Sequence, residues 1–60
     1  MVFVVSDEVK PKNGGPAMIV TGFAGDMVEC RWYDGVGIKR EAFHEDELLP
    51  GDGLQRRDKA

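Results

Sequence analysis

The sequence predicts a small all-β domain, either a sandwich or a barrel. Turn-forming residues divide its 60 residues into short pieces, and no interval between them is long enough for a helix of ordinary length. The intervals are apolar, β-branched or aromatic and recur at roughly even spacing. One of them alternates apolar and charged residues strictly before a turn. A chain of this length forms one domain at most, with a small core.

The alternating segment is Val28-Glu29-Cys30-Arg31-Trp32-Tyr33, followed by Asp34-Gly35. Alternation of this kind is typical of a half-buried strand that enters a hairpin. Because successive side chains point to opposite faces, Val28, Cys30 and Trp32 share one face and their neighbours share the other. We expect the first face to be buried, with Cys30 as a core thiol and Trp32 as the anchor of the core.

Two strands precede this segment. The first lies within residues 2–10, and Pro11 restricts it to the edge of the sheet or to a strand that ends there. The second, Met18-Ile19-Val20-Thr21-Gly22-Phe23, is apolar on both faces. We therefore expect it to lie centrally, between two neighbouring strands.

The hairpin register depends on the length of its tip. A three-residue tip at 33–35 places Cys30 opposite Ile38, so that apolar residues face each other. A two-residue tip at Asp34-Gly35 would instead place Cys30 opposite a lysine, and we prefer the longer tip. Phe43 then reaches the core only if a bulge near Arg40-Glu41 shifts the phase by one residue.

The end of the chain is acidic and then apolar. Residues 44–49 suit a single helical turn that folds Leu48 or Leu49 over the open end of the sheet. We expect a β domain over residues 1–50 and a flexible polar tail over residues 51–60.

Charge and cysteine content limit the function. Residues 1–50 carry nine acidic and five basic side chains, a net charge of −4, whereas residues 51–60 carry two acidic and three basic ones, a net of +1. An acidic domain disfavours tight nonspecific binding to phosphate backbones. Cys30 is the single cysteine, so it has no disulfide partner within the chain. The apolar start of the chain is too short to span a membrane and lacks the basic start of a signal peptide. We expect a cytoplasmic protein that has no membrane partner.

With this strand order, the chain resembles the YodC-like family of small uncharacterised bacterial proteins. The match covers about residues 3–49 and is carried by Asp7, Val9, Gly14-Gly15-Pro16, Met18, Val20, Cys30-Arg31-Trp32-Tyr33, Lys39-Arg40-Glu41, Phe43, Glu45-Asp46 and Leu48. The resemblance implies an SH3-like barrel of about five short strands, and it implies no activity. Two residues depart from the family pattern. Ser6 stands where a glycine is usual, and Pro11 stands where an apolar strand residue is usual.

No catalytic, cofactor-binding or metal-binding group emerges from the sequence. Cys30 and His44 offer two zinc ligands where a site needs three or four, and their spacing is unsuitable. The acidic run Glu45-Asp46-Glu47 is typical of a solvated face, since adjacent side chains on one turn point in different directions. We expect a protein that is not an enzyme.

The candidate binding residues project from the predicted hairpin: Arg31, Tyr33, Lys39 and Arg40. A flat ring among cations suits an extended peptide or a stacked base. The structural alternative is that these cations pair across the strands with Glu29 and Glu41. Our first hypothesis is a binding module that takes a protein partner, or a copy of itself, through an exposed sheet edge and the Tyr33 hairpin. The second is a nucleic-acid-binding accessory protein that uses the same residues together with Arg56 and Arg57.

Overall fold

The computed structural model describes residues 2–51, which form five strands and one 3₁₀ turn. The elements are β1 (Glu8–Pro11), β2 (Met18–Ala24), β3 (Met27–Tyr33), β4 (Ile38–His44), the 3₁₀ turn (Glu45–Glu47) and β5 (Leu48–Pro50). The all-β class and the closing turn are confirmed. The expected flexible tail lies, apart from Gly51, outside the described residues.

All five strands belong to one antiparallel sheet in the order β4-β3-β2-β1-β5. The outermost strands, β4 and β5, are joined directly by the 3₁₀ turn. In a flat sheet these two strands would lie about 19 Å apart, whereas the four residue steps from His44 to Leu48 span at most about 14 Å. The sheet is therefore strongly curled, as an SH3-like barrel requires.

The strand positions follow from the composition of each strand. β2 lies between β1 and β3, as its two apolar faces predict. Pro11 is the last residue of β1, and β1 pairs with β5 on its other side, so the proline ends an internal strand. Proline is tolerated there because the next bond of this ladder is made by the N–H of Lys12, which donates to the Glu47 carbonyl at 2.9 Å.

The bulge lies in a different strand from the one predicted. The pairing of β2 with β3 shifts between Val20 and Gly22, where Thr21 is the extra residue. Its hydroxyl donates to the Glu29 carbonyl at 3.3 Å. The predicted bulge at Arg40-Glu41 is wrong, because β4 pairs with β3 without interruption from Ile38 to His44.

The predicted hairpin register is also wrong. Tyr33 pairs with Ile38 and Cys30 pairs with Glu41, so neither tip considered from the sequence is formed. The turn is centred on Gly35-Val36, and Gly35 has φ +95°. Glycine adopts positive φ at little steric cost, and the Gly37 N–H donates to Asp34 Oδ1 across the turn. This register places Phe43 opposite Val28 without any bulge.

The core is a single cluster whose buried members are Phe3, Val9, Met18, Val20, Val28, Cys30 and Leu48, with Trp32 and Phe43 packed against it. The predicted inward face of β3 is confirmed, and Cys30 is only 1% exposed. Trp32 lies on this face but is half-buried. Leu48 rather than Leu49 covers the end of the sheet, since Leu49 is exposed.

A tight turn precedes β1. The Asp7 carboxylate is buried and accepts the Val4 N–H at 2.9 Å, while the Asp7 N–H donates to the Val4 carbonyl at 3.0 Å. Ser6 lies inside this turn with φ +83°, in the region that favours glycine. A glycine, which the family resemblance implies here, would adopt this conformation without strain.

The outer edge of β5 lacks free backbone N–H donors. The Leu48 N–H donates to the Glu45 carbonyl, and Pro50 has no N–H. The intervening Leu49 pairs with Lys10 of β1. Within residues 2–51, this edge offers an incoming strand no backbone N–H from β5.

Candidate binding site

The outward surface of the β3–β4 hairpin brings together three of the four predicted binding residues. Arg31 pairs with Arg40, and Tyr33 pairs with Ile38. Directly paired residues of an antiparallel ladder project from the same face. We define the hairpin face as the three cross-strand pairs Glu29–Ala42, Arg31–Arg40 and Tyr33–Ile38.

The two arginines of this face have no acidic partner in the described chain. Within residues 2–51, neither guanidinium lies within 4.0 Å of a carboxylate oxygen. Glu29 pairs with Ala42 on the same face as the arginines, but its carboxylate forms no ion pair with either of them. Glu41 pairs with Cys30 and lies on the opposite face. The pairing with Glu29 and Glu41 that would have neutralised these cations is therefore not formed.

Lys39, the fourth predicted residue, lies elsewhere. It pairs with Trp32 and so projects from the opposite face of the hairpin. Its ammonium group lies 3.5 Å from Asp34 Oδ2. Both side chains are partly exposed, so the ion pair contributes little to stability. The contact joins Lys39 to the turn and not to the hairpin face.

Asp34 organises that turn through its backbone contacts. Its Oδ1 accepts the Val36 N–H at 2.8 Å and the Gly37 N–H at 2.9 Å. The Asp34 N–H donates to the Gly37 carbonyl at 3.1 Å. The hydrogen bonds from Gly37 and Val36 hold the pKa of the Asp34 carboxyl below its ordinary value. A charged Asp34 thus fixes the end of the hairpin.

Apolar groups at the end of the hairpin remain open to solvent. Tyr33 is 65% exposed, Ile38 53% and Val36 91%. The exposure of Tyr33 is confirmed, whereas the expectation that Ile38 faces inward is wrong. Positive φ at Gly35 suits both the predicted three-residue tip and the turn observed, so it does not indicate the true register. The sequence therefore misses Ile38 as a member of the candidate site.

The outer edge of β4 is the second part of the site. Within residues 2–51, no strand pairs with it. Bonding alternates along an antiparallel ladder, and the bond between Asp34 and Gly37 fixes its phase. The backbone groups of Ile38, Arg40 and Ala42 therefore point away from β3.

The next residue in this phase is His44, and it closes the edge. Its N–H donates to Glu47 Oε1 at 2.8 Å. The receptive part of β4 is therefore limited to Ile38, Arg40 and Ala42. The same three side chains belong to the hairpin face, so an added strand would lie against Arg40.

Cys30, one of the two candidate zinc ligands, lies in the core. The Cys30 sulfur is buried 3.8 Å from the Val28 carbonyl oxygen, and burial raises the pKa of its thiol. Among the described residues, no group of three or more His, Cys, Asp and Glu side chains could hold a metal ion. Nor does the described chain contain a helix long and apolar enough to cross a membrane.

Comparisons with known proteins give relatives without an assigned activity. Residues 5–48 match a family described as "Uncharacterized small protein (DUF2158)". The chain is 70% identical over 53 residues to "Uncharacterized protein YodC" of Escherichia coli strain K12, and equally so to the protein of that name from Escherichia coli O157:H7. Each alignment covers 88% of both chains. No solved structure matches the chain.

Proposed function

Since the chain belongs to the DUF2158 family of uncharacterized small proteins, whose name assigns no activity, we propose its function from the site itself. The protein is a non-enzymatic binding module. It takes an extended segment of a partner protein as an additional strand along β4, beside the Tyr33 end of the hairpin. The unpaired outer edge of β4 is the observation that carries this proposal.

Strand addition suits this edge for two reasons. Main-chain hydrogen bonds to Ile38, Arg40 and Ala42 would supply affinity, and the side chains of the hairpin face would supply selectivity. Sheet edges that take no partner are commonly protected by a short strand, by an inward-pointing charged residue, by proline or by a covering loop. The β5 edge is protected because Leu48 and Pro50 offer no free N–H. The β4 edge, in contrast, keeps outward-facing backbone groups at three alternate residues, Ile38, Arg40 and Ala42.

The exposed apolar groups support the same site. Tyr33 and Ile38 form a cross-strand pair at the end of the hairpin, and Val36 lies in the turn beside them. Tyrosine is enriched at the centres of protein interfaces because it supplies a large contact area with few rotatable bonds. We place this function in the cytoplasm, where the unpaired thiol of Cys30 suits a reducing compartment.

A backbone NMR titration with a short capped strand peptide tests the proposal. We expect the amide signals of Ile38, Arg40 and Ala42 to shift on binding and their hydrogen exchange to slow. The amides of Lys39, Glu41 and Phe43, which face β3, should change much less. Shifts confined to another surface, or none at millimolar peptide, would refute the proposal.

An edge-blocking variant provides the matched control. Ala42→Pro removes an N–H that points away from β3, so the β3–β4 ladder keeps its bonds. Binding should be lost while the circular dichroism spectrum stays that of the wild type. If the variant does not fold, the hydrogen-exchange comparison on the wild type decides the question.

Single-stranded nucleic acid is the second candidate, favoured because Arg31, Arg40 and Tyr33 lie on one face. Against it stands the net charge of −4 over residues 1–50. The additional predicted contacts, Arg56 and Arg57, lie outside the described residues. Binding of an oligothymidylate at low salt, weakening steeply as salt rises, would favour this candidate.

A further inference from the structure

We infer that the strand accepted by β4 carries a carboxylate directly opposite Arg40, and that the partner is an acidic segment rather than a second copy of this chain. This inference rests on the proposed function and adds the chemistry of the partner. Its starting point is the uncompensated pair of arginines on the hairpin face.

Arg31 and Arg40 repel each other across the ladder, because like charges directly opposite on a sheet are unfavourable. A carboxylate on an added strand would lie next to Arg40 and one strand spacing further from Arg31. The carboxylate would compensate the positive charge of Arg40 and so reduce its repulsion with Arg31, which persists in the unbound protein. Charge-assisted hydrogen bonds to a guanidinium are also stronger than neutral ones. Charge complementarity therefore favours an acidic residue at this position.

A second copy of the chain fits this edge poorly. In an antiparallel pairing about a two-fold axis, the residue at the axis lies opposite its own copy. The three central registers place Lys39, Arg40 or Glu41 at the axis. The registers centred on Lys39 and Glu41 oppose a charged side chain to the same charge. The register centred on Arg40 pairs Lys39 with Glu41 of the copy on one face, but on the other face it brings four arginines together, since each Arg40 already lies opposite Arg31. A second copy therefore adds to the repulsion between the arginines, whereas a carboxylate relieves it.

The neighbours of Arg40 extend the description of the partner. Ile38 and Ala42 lie two residues to either side of it on the same face. A partner strand in register would place apolar residues opposite them. The preferred segment is thus an acidic residue with an apolar residue two positions away on each side.

The test is an NMR titration with three capped peptides of sequence Val-Thr-X-Thr-Val, in which X is Glu, Gln or Lys. We expect the Glu peptide to bind about fivefold more tightly than the Gln peptide, and the Lys peptide to bind least. Raising the salt concentration should reduce the difference. Arg40→Glu should reverse the order, so that the Lys peptide binds best. Lys10→Gln removes one positive charge from a different strand and should leave the order unchanged.

The outcomes separate this inference from the proposed function. Equal affinities at the β4 amides would refute the acidic preference and leave strand addition intact. Loss of all shifts at those amides would refute strand addition itself. Tighter binding of oligothymidylate than of the Glu peptide at the same amides would replace the protein partner with nucleic acid. A concentration-dependent dimer that Ala42→Pro abolishes would replace it with a second copy.

Discussion

Arg31 and Arg40 face each other directly across the β3–β4 ladder, and within residues 2–51 no carboxylate lies within ion-pairing distance of either. Cross-strand positions of this kind more commonly hold opposite charges, which contribute a few tenths of a kcal/mol. The arrangement lowers the stability of the unbound protein. Residues that reduce stability without a structural benefit are typical of functional surfaces.

Arg40→Glu should therefore raise the free energy of unfolding by about 0.5 kcal/mol, because it converts the repulsive pair into an attractive one. Arg31→Glu should act similarly, and the double variant should return to the wild-type value because it opposes two acids. Urea denaturation of all four proteins at low salt measures this coupling. Independent effects of the two substitutions would show that the side chains do not interact.

Phe43→Ala should destabilise the protein by about 2 kcal/mol, because Phe43 lies opposite Val28 and packs against the core. Ile38→Ala, at an exposed position of the same strand, should cost well under about 1 kcal/mol. Urea midpoints of the two variants test the register. A larger loss of stability for Ile38→Ala than for Phe43→Ala would instead support the register in which Ile38 lies opposite Cys30.

The sequence alone predicts the faces of the strands better than their pairing. Alternation along β3 correctly places Val28 and Cys30 inside and Arg31 and Tyr33 outside, since it depends only on local backbone geometry. Register is different, because a change of one residue in the turn alters every cross-strand pair. The sequence places a left-handed glycine at Gly35, as observed, but this residue is compatible with tips of different length and so does not fix the register.

The same distinction applies to the candidate site. Arg31, Tyr33 and Arg40 are found from the sequence because each projects outward from one hairpin. Lys39 is misplaced and Ile38 is missed, because both errors follow from the register. The unpaired edge of β4 depends on the pairing of β1 with β5, which joins residues about forty positions apart. Local patterns carry no information about such a pairing.

Ser6→Gly should stabilise the protein by about 1 kcal/mol. The gain comes from relief of the strain of a side chain at φ +83°, reduced by the greater freedom of glycine in the unfolded chain. Ser6→Ala keeps the Cβ atom and should change the stability much less. Thermal and urea denaturation of the two variants provide the comparison. A destabilised Ser6→Gly protein would argue against a left-handed residue in this turn.

Stability in acid should depend on Asp34. Because its pKa is lower in the folded state, ionised Asp34 stabilises the fold above the ordinary aspartate pKa, and this contribution is lost as the pH falls through the folded value. Asp34→Asn keeps an oxygen that can accept the two N–H groups but cannot be charged. The difference in stability between wild type and variant should therefore shrink below about pH 4.

The measurement is an NMR titration of the Asp34 carboxyl together with urea midpoints over the acid range. Asp34→Ala, which loses both hydrogen bonds, should be less stable than Asp34→Asn at neutral pH. A carboxyl that titrates at or above the usual aspartate value would show that the turn does not hold Asp34 as described.

The inequality of the two outer strands limits how far assembly can proceed. Filaments that grow by edge-to-edge stacking need a donor surface and an acceptor surface on every subunit. The outer edge of β4 presents backbone N–H groups at Ile38, Arg40 and Ala42, whereas β5 offers none, because the Leu48 N–H is bonded within the 3₁₀ turn and Pro50 has no N–H. Among the described residues, a head-to-tail filament that pairs the β5 edge of one copy with the β4 edge of the next is therefore disfavoured.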